Sequence, residues 1–339
     1  MMNKKKTDIV KVFCYAMFSM AVVTASYLLR HQRFSNIVPT IIAGVLIAAI
    51  IEVLILLLLK GKQVLKRVVK IFLLFVVNIT VFFSMIVYSF APAVILQPHS
   101  DIDSYEFLQG VEYAEEMTIN TSVGKINGWF YNVAGDDAPT VLYFYGNYET
   151  ASTRLRQLSI DYSESAFTGC NFAVFDYPAY GKSEGTCSDD TIQAFAVDVY
   201  DEIIKRSDNI IVLGYSVGTG PACYLAGKRE VTGLILYAPY NHSRDLYNNI
   251  IDIFYGPVEK LVSFRIDNSR NMKNNKAPVL IIASESDELI PFASSENLYN
   301  NFSDLCGFVK VPGITHNQFL SDTIVRTETA DFIREVTSG

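Results

Sequence analysis

The sequence predicts an α/β domain with a doubly wound, mostly parallel sheet and a small lid insertion, preceded by three transmembrane helices. Three observations predict it. Three long apolar runs occupy the first 96 residues. Beyond them, short apolar, β-branched segments alternate with helix-like ones. One of these junctions, from an apolar segment into a helix, carries a serine flanked by glycines.

Val12 to Leu29 is an uncharged run of 18 residues, Ile37 to Leu59 a run of 23 broken only by Glu52, and Ile71 to Leu96 a run of 26 without charge. A hydrocarbon core about 30 Å thick takes roughly 20 helical residues to cross. Core helices of globular domains keep a polar face, so runs apolar all round for this length read as spans at 12–29, 37–59 and 71–96. Cations set the expected orientation. Lys4, Lys5, Lys6 and Lys11 precede the first span, and Lys60, Lys62, Lys66, Arg67 and Lys70 lie between the second and third. The loop between the first two carries only Arg30 and Arg33. With three crossings this distribution places everything after Leu96 outside the cytoplasm, as an integral protein of the cell membrane in contact with the lipid bilayer.

Charge divides the chain in the same place. Up to Lys70 there are 11 basic residues and two acids, and from Ile71 onward 17 basic and 33 acidic, a net of −16 against −7 for the whole chain. So acidic a domain repels phosphate backbones, which excludes nucleic acid as a partner. The cysteines in the soluble part, Cys170, Cys187, Cys223 and Cys306, lack CxxC or metal-like spacing and read as unpaired thiols.

Residues 97–114 read as a polar connector without strong periodicity, and 115–339 as the α/β domain. Strands are expected at 117–121, 126–131, 140–145, 171–176, 210–213, 233–237, 279–283 and 307–311. Helices are expected near 153–165, 189–206, 218–228, 296–302 and 317–336. The later strands are short and apolar throughout, as parallel strands covered on both faces are. Strands alternating with helices build right-handed βαβ units. The first two strands have no helix between them and read as an antiparallel hairpin at one edge. Residues from about 241 to 275 interrupt the alternation and carry Tyr247, Phe254, Tyr255 and Phe264 shortly after Tyr240. A long insertion there reads as a lid, although packing of the insertion onto its own domain accounts for most such aromatics.

Gly214-Tyr215-Ser216-Val217-Gly218 follows the apolar run Ile210-Ile211-Val212-Leu213 and opens a helix. A tight strand–turn–helix strains the serine backbone and lifts its hydroxyl into the open, and side chains at Gly214 and Gly218 would collide with neighbouring elements. A serine needs a base. Of the four histidines, His31 is beside a membrane span and His99 just past one, and His242 begins the insertion. His316 lies after the last strand and before the final helix, which makes it the expected base, with His242 the alternative. A third, acidic member is expected after 279–283, where Glu285, Asp287 and Glu288 compete. An oxyanion needs two amide donors. Val217, directly after the serine, supplies one, and Asn147, in Phe144-Tyr145-Gly146-Asn147, is the candidate for the other, with Gly146 allowing close approach of the backbone.

From about Glu115 to the C-terminus the chain resembles α/β-hydrolases. The resemblance is to the subgroup with F-H-G-N after the third strand and D-Y-x-G-Y-G-x-S-x-G after the fourth. Here these read Phe144-Tyr145-Gly146-Asn147 and Asp176-Tyr177-Pro178-Ala179-Tyr180-Gly181-Lys182-Ser183-Glu184-Gly185. Among the three acids the resemblance selects Asp287, four residues before Pro291. Two positions depart from the pattern. Tyr145 replaces a histidine that buttresses the oxyanion loop, and Ala179 replaces a glycine. Neither removes a triad member or an amide donor.

The expectation is therefore a membrane-anchored serine hydrolase cleaving ester, thioester or amide bonds through Ser216, His316 and Asp287, without a metal or organic cofactor. The substrate expected is a small acylated or lipid-like molecule. A serine peptidase of the same fold is the alternative, and a non-catalytic sensor or scaffold a further one against which the complete triad argues.

Overall fold

Where the sequence strings together β-branched and aromatic residues, the computed structural model forms one eight-stranded sheet. The strands are β1 (Ala114–Thr121), β2 (Gly124–Tyr131), β3 (Thr140–Phe144), β4 (Asn171–Phe175), β5 (Ile210–Tyr215), β6 (Gly233–Tyr237), β7 (Val279–Ala283) and β8 (Cys306–Lys310). Their order across the sheet is β1-β2-β4-β3-β5-β6-β7-β8. The structure describes residues 69, 72, 73, 76, 79, 80, 95–250, 252, 254–256, 259, 262 and 264–338. The chain divides into two compact units, Met1–Ala93 with Gly256–Ser263, and Val94–Tyr255 with Phe264–Gly339. In the first, the described positions 69–80 are helical. The expected spans at 12–29 and 37–59 lie outside the described residues, as does most of 71–96. Among the described residues no helix is long and apolar enough to cross a membrane.

The second unit contains the sheet. β1 and β2 form an antiparallel hairpin closed by Ser122 and Val123, and β2 pairs antiparallel with β4. Every other pairing is parallel. In β1 only Met117 and Ile119 are buried, the period-2 pattern of an edge strand with one wet face. Every residue of β3, β4, β5, β6 and β7 is buried, because helices cover both faces.

The helices of this unit are α1 (Ile102–Leu108), α2 (Ala151–Ile160), α3 (Asp189–Ile203), α4 (Thr219–Ala226), α5 (Ser243–Ile250), α6 (Phe292–Asn301) and α7 (Thr323–Thr337), with a single turn at Asn268–Asn271. Side-chain caps fix several starts. Thr150 accepts from the Thr153 amide, Ser188 and Thr191 form a capping box, and Asp322 accepts from the Ile324 and Val325 amides. The stripe Ile192, Phe195, Ala196, Val199 and Ile203 seats α3 against the sheet. Truncating a fully buried phenylalanine such as Phe195 to alanine costs about 3–5 kcal/mol.

Three local expectations are corrected. The connector contains a helix, α1, nucleated by Asp101, whose carboxylate accepts from the Ser104 amide and hydroxyl. The insertion contains α5, whose inward face is only Ser243, Leu246 and Tyr247. The last long helix begins at Thr323 rather than near Asn317, since Asp322 caps it and His316–Gln318 form a separate 3-10 turn.

The strand order places the site. From β3 the chain crosses through α2 to β4 on one side, then returns through α3 to β5 on the other side of β3. The carboxyl ends of β3 and β5 therefore adjoin at the point where the winding reverses, the position at which doubly wound sheets bind ligands.

Candidate active site

β5 ends at Tyr215, and the next residue, Ser216, has φ +54°. This left-handed conformation is costly for a residue with a side chain. It is held because the chain turns at once into the 3-10 turn Ser216–Gly218 and then α4. The space around the turn explains its glycines. A Cβ at Gly218 would lie 2.1 Å from the Phe144 carbonyl oxygen, and one at Gly214 2.7 Å from the Ala222 Cβ.

The structure brings Ser216, His316 and Asp287 together. Ser216 Oγ is 2.9 Å from His316 Nε2. On the other side of the ring, His316 Nδ1 is 2.8 Å from Asp287 Oδ2 and 3.0 Å from Oδ1. The side chains of His316 and Asp287 are 5 % and 1 % exposed, so the pair is shielded from solvent. Asp287 Oδ1 also accepts from the amides of Leu289 and Ile290 at 2.9 and 2.8 Å, which fixes the carboxylate before it meets the ring. Asp287 follows β7, His316 follows β8 and Ser216 follows β5, so parallel strands deliver all three to one edge.

His316 is supported at several points. Tyr215 stacks on the imidazole at 5.2 Å, and its hydroxyl donates to the His316 carbonyl. The His316 amide donates to Glu288 Oε2 at 3.0 Å. Ser284 Oγ donates to the Ile314 carbonyl at 2.7 Å and ties the loop to the end of β7. Glu288, one of the three competing acids, thus holds the histidine backbone while Asp287 holds its ring. Glu285 faces Lys310 at 2.5 Å on the surface. His242 is elsewhere. It pairs with Asp267 at 3.1 Å, and the hydrogen bond that its imidazole donates to that carboxylate raises its pKa.

The loop expected to receive the oxyanion follows β3, which pairs with β5 so that Phe144 is opposite Gly214. A Cβ on Gly146 would be 3.6 Å from that of Ser216 and 3.3 Å from the Tyr215 ring, so this loop passes directly over the nucleophile candidate. Asn147 is held by its side chain, whose Oδ1 accepts from the Gln97 and Tyr148 amides at 3.0 and 2.9 Å. Val217 lies within the 3-10 turn that leads into α4.

Tyr145 is fully buried beneath the loop. Its hydroxyl donates to Asp176 Oδ1 at 3.2 Å and accepts from the Tyr177 amide at 3.1 Å, while Tyr177 donates to the Tyr145 carbonyl at 2.7 Å. Asp176 Oδ1 also accepts from the Ala151 amide at 2.7 Å, at the start of α2. Burial pushes the Asp176 carboxyl up to about 6, against the lowering effect of the Ala151 and Tyr145 hydrogen bonds. Ala179, in the place of a glycine, has φ +74°.

Sequence reasoning missed Tyr215, Glu288, Asp176 and Gln97 as site supports. The signal for Glu288 was its place beside Asp287, and for Asp176 its place at the head of the quoted ten-residue motif. Gln97 carried none. Of the insertion aromatics, Tyr240, Tyr247, Phe254 and Phe264 are buried and Tyr255 is exposed. Tyr247 and Phe254 meet as tilted rings at 5.6 Å, and Tyr247 donates to the Phe264 carbonyl, so these rings pack the insertion itself. Among the described residues no group of three His, Cys, Asp or Glu side chains could hold a metal ion, and Cys170, Cys223 and Cys306 are free, buried thiols.

Solved structures share this architecture. An alpha-beta hydrolase from Vibrio vulnificus superposes with a TM-score of 0.58 at 19 % identity, covering 76 % of this chain and 93 % of that one. An esterase from Pyrococcus furiosus gives 0.56 at 17 % identity over 72 % and 97 %. The chain has the α/β-hydrolase fold. No protein-family profile matches it. In sequence it is similar to the lysophosphatidylserine lipase ABHD12 of Rattus norvegicus, 31 % identical over 196 residues, which is 52 % of this chain and 48 % of the relative. The Xenopus tropicalis lipase of the same name is 31 % identical over 225 residues, 60 % and 56 % of the two chains. An uncharacterized protein of Mycobacterium tuberculosis is 28 % identical over 210 residues, 60 % and 72 %. The chain spans about half the length of the lipases it matches.

Proposed function

We propose that the protein is a membrane-anchored serine hydrolase that cleaves lipid-like acyl esters. The observation that carries this reading is the contact of Ser216 Oγ with His316 Nε2 at 2.9 Å, on a serine held at φ +54°. His316 takes the Ser216 proton as Oγ attacks the ester carbonyl, and Asp287 stabilises the imidazolium that forms. The amides of Val217 and Asn147 receive the oxyanion. His316 then gives the proton to the leaving alcohol, and water releases the acyl group by the same steps in reverse. The lipid-like substrate is supported by the lysophosphatidylserine lipases to which the chain is similar. Anchoring in a cell membrane with the catalytic domain outside the cytoplasm rests on the three apolar runs and their flanking cations.

Acyl preference tests the substrate class. Each methylene buried in an acyl site adds up to about 0.8 kcal/mol, nearly fourfold in kcat/KM. On full-length protein in detergent, p-nitrophenyl esters of increasing chain length should show kcat/KM rising over several steps, with aminoacyl p-nitroanilides hydrolysed poorly. A flat series with good anilide cleavage contradicts a lipid-like substrate and favours a peptidase.

A further inference from the structure

Between α2 and α7, against the face of the sheet, lies a cavity of about 410 Å³. It is within the size range of small-molecule sites. Its lining includes Tyr143 from β3, Glu149 and Arg154 at the start of α2, Arg326 from α7, Tyr215 and Asn317. Ser216, His316, Val217 and Asn147 are not in its wall, so it is distinct from the acyl-transfer centre.

The polar groups of this wall are incompletely partnered. Arg154 and Glu149 form an ion pair with side chains only 12 % and 19 % exposed. Arg154 Nη1 also donates to Gln157 at 2.9 Å. Yet Arg154 Nε, Glu149 Oε2 and the Tyr143 hydroxyl are buried with no hydrogen-bond partner. Tyr143 as a whole is 1 % exposed. Three buried polar atoms without partners work against folding, and their concentration around one cavity is explained if an occupant satisfies them.

The chemistry of these atoms defines the occupant. Arg154 Nε can only donate, the Tyr143 hydroxyl can donate, and ionised Glu149 Oε2 can only accept. A ligand meeting all three presents an acceptor toward Arg154 and Tyr143 and a donor toward Glu149. The formal charges of the wall also cancel, Arg154 and Arg326 against Glu149 and Asp161. A lone anion or cation would unbalance it, and a zwitterion does not.

We propose that this cavity binds a zwitterionic group, one carrying both an acid and an ammonium. Such a group reaches the protein as the polar head of an acyl substrate or as a free small molecule. The first source rests on the ester hydrolase reading, whereas the second does not. Tyr215 lines the cavity and donates to the His316 carbonyl, and Asn317, the next residue, lines it too.

Tyr143→Phe provides the test, because it removes only a hydroxyl that has no partner in the protein. A purely structural role predicts an unchanged or raised melting temperature and no other effect. The zwitterion site predicts the same melting behaviour together with weakened recognition, about tenfold or more for one lost hydrogen bond to a charged group. Full-length protein in detergent is titrated calorimetrically with L-serine, with acetate and glycerol as anionic and neutral controls. Its kcat/KM is measured on a lysophosphatidylethanolamine and on a monoacylglycerol of the same acyl chain. Loss of L-serine affinity in the variant with both esters unaffected identifies a free ligand. Selective loss on the lysophosphatidylethanolamine identifies a head group. No binding of L-serine by the wild type, and equal kcat/KM of the variant and wild type on both esters, overturns the proposal and leaves a cavity that holds only water. Fluorophosphonate labelling of Ser216 is run alongside. Intact labelling without zwitterion recognition refutes this site alone, while absent labelling refutes the hydrolase reading.

Discussion

Asp176→Asn should remove a pH dependence of stability centred on one buried carboxyl beneath the loop that follows β3. In the folded protein burial raises the Asp176 pKa from 3.8 to about 6. Between those values the folded state holds a proton that the unfolded state has released. Stability from this group is therefore fully present below about pH 4 and lost as pH rises through about 6. The shift of about two pH units, at 1.36 kcal/mol each, corresponds to about 3 kcal/mol. Asparagine is neutral throughout, so the variant lacks this loss. The chain has a single tryptophan, Trp129, buried on β2 with its indole N–H donating to Ser152 of α2 at 3.0 Å. It is opposite Val174, two residues before Asp176, and reports unfolding of the relevant region. Urea midpoints read from Trp129 fluorescence at a series of pH values, on full-length protein in detergent, give the comparison. Stability of the wild type relative to Asp176→Asn should fall by about 2 kcal/mol from pH 4 to pH 7, the part of the full shift that lies in this window. A difference that is constant across this range refutes the reasoning, since it would mean that Asp176 ionises in the folded state as it does in the unfolded one.

Further outcomes follow from the same geometry. Asp287→Asn should lower kcat by about four orders of magnitude, because the imidazole loses the partner that fixes its tautomer. Glu288→Gln should cost little, since the amide oxygen still accepts from the His316 backbone. Burst kinetics with a p-nitrophenyl ester separates the two, and a severe loss from Glu288→Gln would reverse the roles assigned to these acids. For orientation, a membrane-impermeant thiol reagent on intact cells should reach a cysteine placed at Ser338 and leave one placed at Lys62 protected. The opposite pattern means a cytoplasmic catalytic domain.

Much of this architecture was legible in the sequence because its strands are buried on both faces. The runs Ile210 to Leu213 and Val279 to Ala283 contain no polar residue and are β-branched and short, as covered parallel strands are. The serine turn was legible for a related reason, since Gly214 and Gly218 mark places where the backbone leaves no room for a Cβ. Short helices were not. In α1 a single cap and two buried residues, Ser104 and Leu108, suffice, which is too little periodicity to read. Helix α5 is largely polar, and its inward face of Ser243, Leu246 and Tyr247 spans one turn. The supports of the site were hidden for another reason. Gln97 meets Asn147 from 50 residues away, and Tyr215 meets the His316 carbonyl from 101 away, contacts that only the assembled sheet creates. The cavity between α2 and α7 draws its wall from β3, α2, the loop after His316 and α7, so no local pattern announces it.

Covalent labelling at Ser216 tests the nucleophile assignment most directly. A fluorophosphonate probe should modify the full-length protein in detergent, and peptide mapping should place the adduct on Ser216. Ser216→Ala should abolish labelling, His316→Ala should remove most of it, and His242→Ala should leave it intact, since His242 is paired with Asp267 rather than with the serine. Labelling that survives Ser216→Ala, or that depends on His242 instead of His316, would contradict the triad on which the proposed chemistry rests.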